Sequence, residues 1–69
     1  MKLSTRNQLT GTVISVTSGE AMAVVKVRLD GGQIITSSVT KEAADDLGLA
    51  EGSPVTALIK STEVALAVE

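Results

Sequence analysis

Residues 21–29 leave this chain the least freedom. Ala23, Val25, Val27 and Leu29 fall on one side of a two-residue period, and Met22, Val24, Lys26 and Arg28 on the other. That is the pattern of a strand with one covered face. Asp30-Gly31-Gly32 follows, and glycine reaches the positive φ that a tight hairpin demands. The chain must therefore turn back here, with residues 33–39 as the returning strand, polar at Thr36, Ser37 and Ser38. Upstream, residues 8–17 are rich in Thr, Val and Ile and end at the turn signal Ser18-Gly19-Glu20. Parity changes inside this first strand: Leu9, Gly11 and Val13 share one face, Ile14 and Val16 the other. Either a bulge near Gly11 shifts the register or both faces are covered.

Downstream of the hairpin, Thr40 has the chemistry of an N-cap, Lys41-Glu42-Ala43-Ala44-Asp45-Asp46-Leu47 reads as two helical turns, and Gly48 suits the C′ position. Glu42 favours the N-terminal dipole while Asp45 and Asp46 lie nearer the wrong end, so packing of Ala44 and Leu47 is expected to hold the helix. Residues 49–53 form a loop, and Pro54 opens a fourth strand continuing through residues 55–59. Lys60-Ser61-Thr62 is a polar break, and residues 64–68, Val-Ala-Leu-Ala-Val, read as a fifth strand apolar on both faces. Left exposed, such a strand is an aggregation hazard, so a partner subunit is expected to cover it. The fold class expected is mainly β, a five-stranded OB-type barrel with one short helix between strands three and four.

The 69 residues include no aromatic, cysteine or histidine. A core of Val, Ile, Leu, Ala and Met in so short a chain is marginal alone, and no disulfide or thiolate metal site can staple it. With 43% hydrophobic residues, the remaining support is a homo-oligomer in which subunits cover each other's apolar faces. The net charge of −2 offers no general attraction to nucleic acid or to an anionic membrane. No apolar leader segment and no stretch near the length of a membrane helix occurs, so a cytoplasmic protein is expected. Without His or Cys, a general base would have to be Asp, Glu or Lys, and the acids fall in turns and on the helix; no enzyme activity is expected.

Ser4-Thr5-Arg6-Asn7-Gln8 and Lys60-Ser61-Thr62 contain nearly all the remaining chemistry. They combine hydroxyls, a guanidinium, an ammonium and backbone N–H groups outside regular ladders, without a carboxylate in either run. A tetrahedral dianion carrying no proton asks for this donor set, whereas hydrogen phosphate would find no acceptor for its proton. The plainer reading is a solvated lead-in to the first strand and an ordinary turn between two others. Thr40 is a helix cap or a ligand, and Lys26 and Arg28 are surface charges or parts of a second anion site.

Three strings carry a resemblance: Ser-Thr-Arg-Asn-Gln-Leu-x-Gly at residues 4–11, Leu-Gly-Leu-x-x-Gly at 47–52 and Ile-Lys-Ser-Thr-x-Val at 59–64. Together they resemble the molbindins, small proteins of the Mop domain family, over the whole chain. The resemblance implies one Mop domain over residues 1–69, an OB-type fold, and a hexamer built as a trimer of dimers. It implies binding of molybdate or tungstate between subunits, with the N-terminal motif from one chain and the Lys-Ser segment from its neighbour. The metal would enter as an oxyanion, with no bare cation and no cofactor. Carried over by position, Ser4 supplies hydroxyl and backbone donors, Thr5 and Arg6 mainly backbone, Lys60 the compensating charge and Ser61 another hydroxyl. Relatives can place a serine where this chain has Ala43, which leaves only a backbone N–H in the helix's first turn. The implied role is intracellular storage or buffering of the anion. The alternatives are an oxyanion-responsive regulatory module and an OB-type nucleic-acid-binding module, the latter lacking here the aromatic stacking surface such modules use.

Overall fold

The computed structural model describes residues 2–69. It contains the strands β1 (Asn7–Ser18), β2 (Met22–Leu29), β3 (Ile34–Thr40) and β4 (Pro54–Ile59). One helix, α1 (Lys41–Asp46), stands between β3 and β4, and a 3-10 turn (Ser61–Glu63) follows β4. All pairings are antiparallel, and the order β3-β2-β1-β4 makes β3 and β4 the two edges. The sheet curls into an OB-like half-barrel of four strands, not the five expected.

β2 alternates as its sequence dictates: Ala23, Val25 and Val27 are buried while Met22, Val24, Lys26 and Arg28 are exposed. Its central valines meet Val13 of β1 in the core, and Val16, Leu29, Ile35, Val39, Leu49 and Val55 pack around them. The parity change in β1 is a bulge, but it falls at Ile14 and not near Gly11. The register steps from Val13↔Val27 to Ser15↔Lys26, and Ile14 is the extra residue. The step returns Val16, opposite Val25, to the core face, and a bulge also adds local twist, which favours curling. The hairpin after β2 closes with the Gly32 N–H on the Leu29 carbonyl at 2.8 Å and the Leu29 N–H on the Gln33 carbonyl at 2.7 Å.

Thr40 caps α1 as expected, its hydroxyl accepting the Ala43 N–H at 3.0 Å. At the other end, Gly48 has φ +63. Its N–H reaches the Asp45 carbonyl at 3.0 Å and the Leu49 N–H reaches the Ala44 carbonyl at 3.1 Å, the paired bonds of a Schellman stop. This stop overturns one expectation about packing. Ala44 is buried, but Leu47 is 71% exposed, because the left-handed residue after it redirects the chain and brings Leu49, not Leu47, against the core. Lys41 and Asp45 pair at 2.9 Å across one exposed turn, which partly offsets an acid near the helix C-terminus. Thr40→Ala should lower stability by about 1 kcal/mol, and Thr40→Ser should restore most of it. Urea denaturation checks this, and an unchanged midpoint for the alanine variant would show that the cap contributes nothing.

The expected fifth strand is also corrected. After the 3-10 turn, residues 64–69 have no regular structure and pair with no strand of their own chain. Leu66 and Val68 stand 92% and 96% exposed. Strand-forming side chains are not enough for a strand: the backbone needs an edge to bond to, and this segment bonds to neither edge of its own sheet.

Candidate functional site

The β1–β4 ladder decides which polar residues meet. Its register runs from Thr12↔Pro54 to Asn7↔Ile59, so Arg6, just before Asn7, and Lys60, just after Ile59, both leave the ladder at the same end. The Ser4-Thr5-Arg6 lead-in and the Lys60-Ser61 exit from β4 therefore share one end of the sheet, although more than fifty residues separate them in sequence. Ser4, Arg6, Lys60 and Ser61 are exposed and Thr5 is half-buried. Among the described residues, neither the Arg6 guanidinium nor the Lys60 ammonium takes part in an ion pair or side-chain hydrogen bond.

Backbone geometry holds both halves in place. Lys60 is the cap of the 3-10 turn, and its carbonyl accepts the Glu63 N–H at 2.9 Å. Asn7 reaches across the ladder, its Nδ2 donating to the Ile59 carbonyl at 3.0 Å. Gln8 folds back over the lead-in, its Nε2 donating to the Thr5 carbonyl at 2.9 Å. The last two contacts were not assigned from sequence. The only signal for them was the polarity of the run itself, since an amide's partner depends on where the ladder ends.

Ala43 does not join this group within one chain. β1 extends from Asn7, opposite Ile59, to Ser18, opposite Ala23. α1 follows Thr40, which pairs with Met22 beside that far end. Ala43 and the Ser4-Thr5-Arg6 lead-in thus lie at opposite ends of β1. The Ala43 N–H, the donor expected to face an anion, is already bound by the Thr40 hydroxyl. Lys26 also has a local partner, with Nζ on Thr36 Oγ1 at 2.6 Å on the outer face of the sheet.

What the shared end presents is a set of donors: two cations, hydroxyls, and N–H groups outside the ladder. Among the described residues no group of three or more acids could hold a metal ion. On the concave side of the sheet, an open apolar trough is lined by Val25, Ile35, Val39, Leu49, Val55 and Ile59 among others, and residues 64–69 do not fill it. No helix among the described residues is long and apolar enough to cross a membrane.

Comparison with known proteins gives a consistent picture. The family model described as the TOBE domain matches residues 3–66. Molybdenum-pterin-binding protein 3 of Clostridium pasteurianum is 44% identical over 64 residues, which are 93% of this chain and 94% of that one. Among solved structures, MopII from Clostridium pasteurianum superposes with a TM-score of 0.91 at 37% identity, covering 97% of this chain and all of that one. The molybdate-bound structure of the cytoplasmic molybdate-binding protein ModG matches with a TM-score of 0.95 at 48% identity, covering 100% of this chain and 49% of that one.

Proposed function

We propose that this chain, which belongs to the TOBE domain family and stands among its Mop members, binds molybdate or tungstate as an intact oxyanion between subunits. The observation that carries the reading is the end of the β1–β4 ladder at Asn7↔Ile59, which brings the Ser4-Thr5-Arg6 lead-in and the Lys60-Ser61 exit to one end of the sheet. A dianion held there is met by charge-assisted hydrogen bonds, roughly twice as strong as neutral ones. One exposed end cannot enclose an anion. A two-fold pairing of two such ends sets the Ser4-Thr5-Arg6 lead-in of one copy against Lys60 and Ser61 of the other and excludes water from the ligand. Ala43 would enter from a further contact between copies, with its N–H first released from Thr40. The pterin in the relatives' name has less support, because this chain has no aromatic ring on which a pterin could stack.

The assembly is read as a homo-hexamer, a trimer of dimers, each subunit a single Mop domain over residues 1–69. Residues 64–68 would lie on another subunit, with Val64, Leu66 and Val68 on one side and the small Ala65 and Ala67 on the other. The role is storage or buffering of the anion in the cytoplasm, without catalysis and with no nucleic-acid or membrane partner. Two features support a role without chemistry on the ligand: the donor end carries no acid within the clusters, and the chain has no His or Cys.

Calorimetric titration of the folded oligomer with molybdate should show saturable heat. Absence of heat with both molybdate and tungstate would end this reading. Lys60→Ala should keep the oligomer yet weaken molybdate by roughly tenfold or more, since a desolvated dianion loses a full opposite charge. Unchanged affinity would make Lys60 a turn residue only.

A further inference from the structure

We infer that the side-chain amides of Asn7 and Gln8 determine which oxyanions this site accepts, an inference that rests on the molybdate reading above. A backbone loop around an anion presents carbonyls as well as N–H groups. Carbonyls do two things there: they repel a bare dianion, and they give an anion that still carries a proton somewhere to donate it. Two carbonyls belong to the residues that frame the donor end, that of Thr5 in the lead-in and that of Ile59 just before Lys60. Each is covered by an amide of its own chain, Thr5 by Gln8 Nε2 at 2.9 Å and Ile59 by Asn7 Nδ2 at 3.0 Å. The orientation of both amides follows from chemistry, because a carbonyl can only accept and the NH2 group must face it.

Asn7 and Gln8 are adjacent in β1, so their side chains leave opposite faces of the strand. Asn7 is half-buried and reaches across to β4, whereas Gln8 is exposed and folds back over the lead-in. The consecutive amides therefore cover these two carbonyls, one on each side of the strand, and remove two acceptors from the donor end. A fully deprotonated tetrahedral dianion such as molybdate loses nothing by this. Hydrogen phosphate, of the same charge, must bury a hydroxyl where two carbonyl acceptors are already engaged, and a buried donor left poorly paired is costly. The pair thus sets specificity and positions the loop without itself contacting the anion.

The test measures dissociation constants for molybdate and for inorganic phosphate, at a pH where phosphate is mainly the singly protonated dianion. It uses the full chain and its Asn7→Leu, Gln8→Leu and Lys60→Ala variants, each confirmed to have the oligomeric mass of the unsubstituted chain. Uncovering a carbonyl should weaken molybdate while phosphate binding holds or improves, so the ratio of phosphate to molybdate constants falls by roughly tenfold or more in the leucine variants. In Lys60→Ala both anions should weaken together and the ratio should stay. Leucine variants that lose affinity for both anions in equal measure would overturn the inference, since that is the outcome of a merely structural role. Should Asn7→Leu fail to assemble, the exposed Gln8 position decides by the same ratio. An unsubstituted chain that binds no molybdate is a different result, which overturns the function reading and this inference with it.

Discussion

Gly11→Val is expected to prevent the chain from folding, and Gly11→Ala to cost about 3 kcal/mol or more. Gly11 is buried in the middle of the sheet, opposite Leu29 of β2 on one side and Val55 of β4 on the other. A Cβ added there would lie 2.5 Å from the Arg28 carbonyl oxygen and 2.9 Å from Val27 Cγ1. The first of these is backbone, held by the β1–β2 and β2–β3 ladders, so it cannot rotate aside as a side chain would. The second belongs to one of the three valines at the centre of the core. Relief would require β1 and β2 to separate at the ladder the whole sheet is built on, in a domain whose total stability is expected to be only a few kcal/mol. Gly19→Ala is the matched control, because a Cβ there meets nothing nearer than 3.5 Å. Urea denaturation followed by circular dichroism reads both. Equal midpoints for the two alanine variants would show that the close approach at Gly11 has no energetic weight.

Ending the chain at Glu63 is expected to abolish assembly and, with it, molybdate binding. Beyond the Val64 N–H that closes the 3-10 turn on the Ser61 carbonyl, residues 64–69 form no regular structure with their own chain, yet they expose Leu66 and Val68 almost fully and Val64 by nearly half. Fully covering an apolar side chain of this size is worth roughly 1.5–3 kcal/mol, so Leu66 and Val68, with the open half of Val64, outweigh most other contacts this small fold can make. The same subunit has what the segment lacks: two unpaired sheet edges, β3 and β4, and an apolar trough on its concave side. A strand added to such an edge satisfies backbone groups and covers side chains together. In the proposed site Lys60 and Ser61 adjoin the turn that launches the segment, so its loss should also leave the anion half-enclosed. Mass measurement in solution and molybdate titration of the shortened chain check the two parts. A shortened chain with unchanged oligomeric mass would mean that other surfaces hold the subunits together.

The elements legible in the sequence were those whose cause is local. β2 could be read residue by residue because one covered face imposes strict alternation, and α1 because both its ends are marked, by Thr40 and by Gly48. The bulge was legible as a parity change but its position was not, since either face of β1 could have absorbed the extra residue until Val13 and Val16 were seen to share the core with Val25 and Val27. Leu47 was misread for a related reason. The helical period places it with Ala44, while a residue of positive φ immediately after it hands the packing position to Leu49.

For the candidate site, residue types alone marked two donor-rich clusters, because hydroxyls and cations without carboxylates are a chemical pattern visible in one dimension. That Arg6 and Lys60 flank the same end of the ladder is a property of register, a long-range pairing that no local window contains. So are the two amides that cover the Thr5 and Ile59 carbonyls, and so is the separation of Ala43 from the rest.

By itself, then, the sequence determined the materials: an aliphatic core too small to be secure alone, a hairpin at Asp30-Gly31-Gly32, a capped helix, and donors suited to an unprotonated anion. Only the tertiary structure decided that residues 64–69 find no strand within their own chain, that Gly11 must stay bare, and that one end of β1 gathers the donors while the other holds the helix. The physical reason is common to all three. Side-chain chemistry and short-range backbone preference are written position by position, whereas hydrogen-bond register and backbone contact arise only when distant segments are brought together.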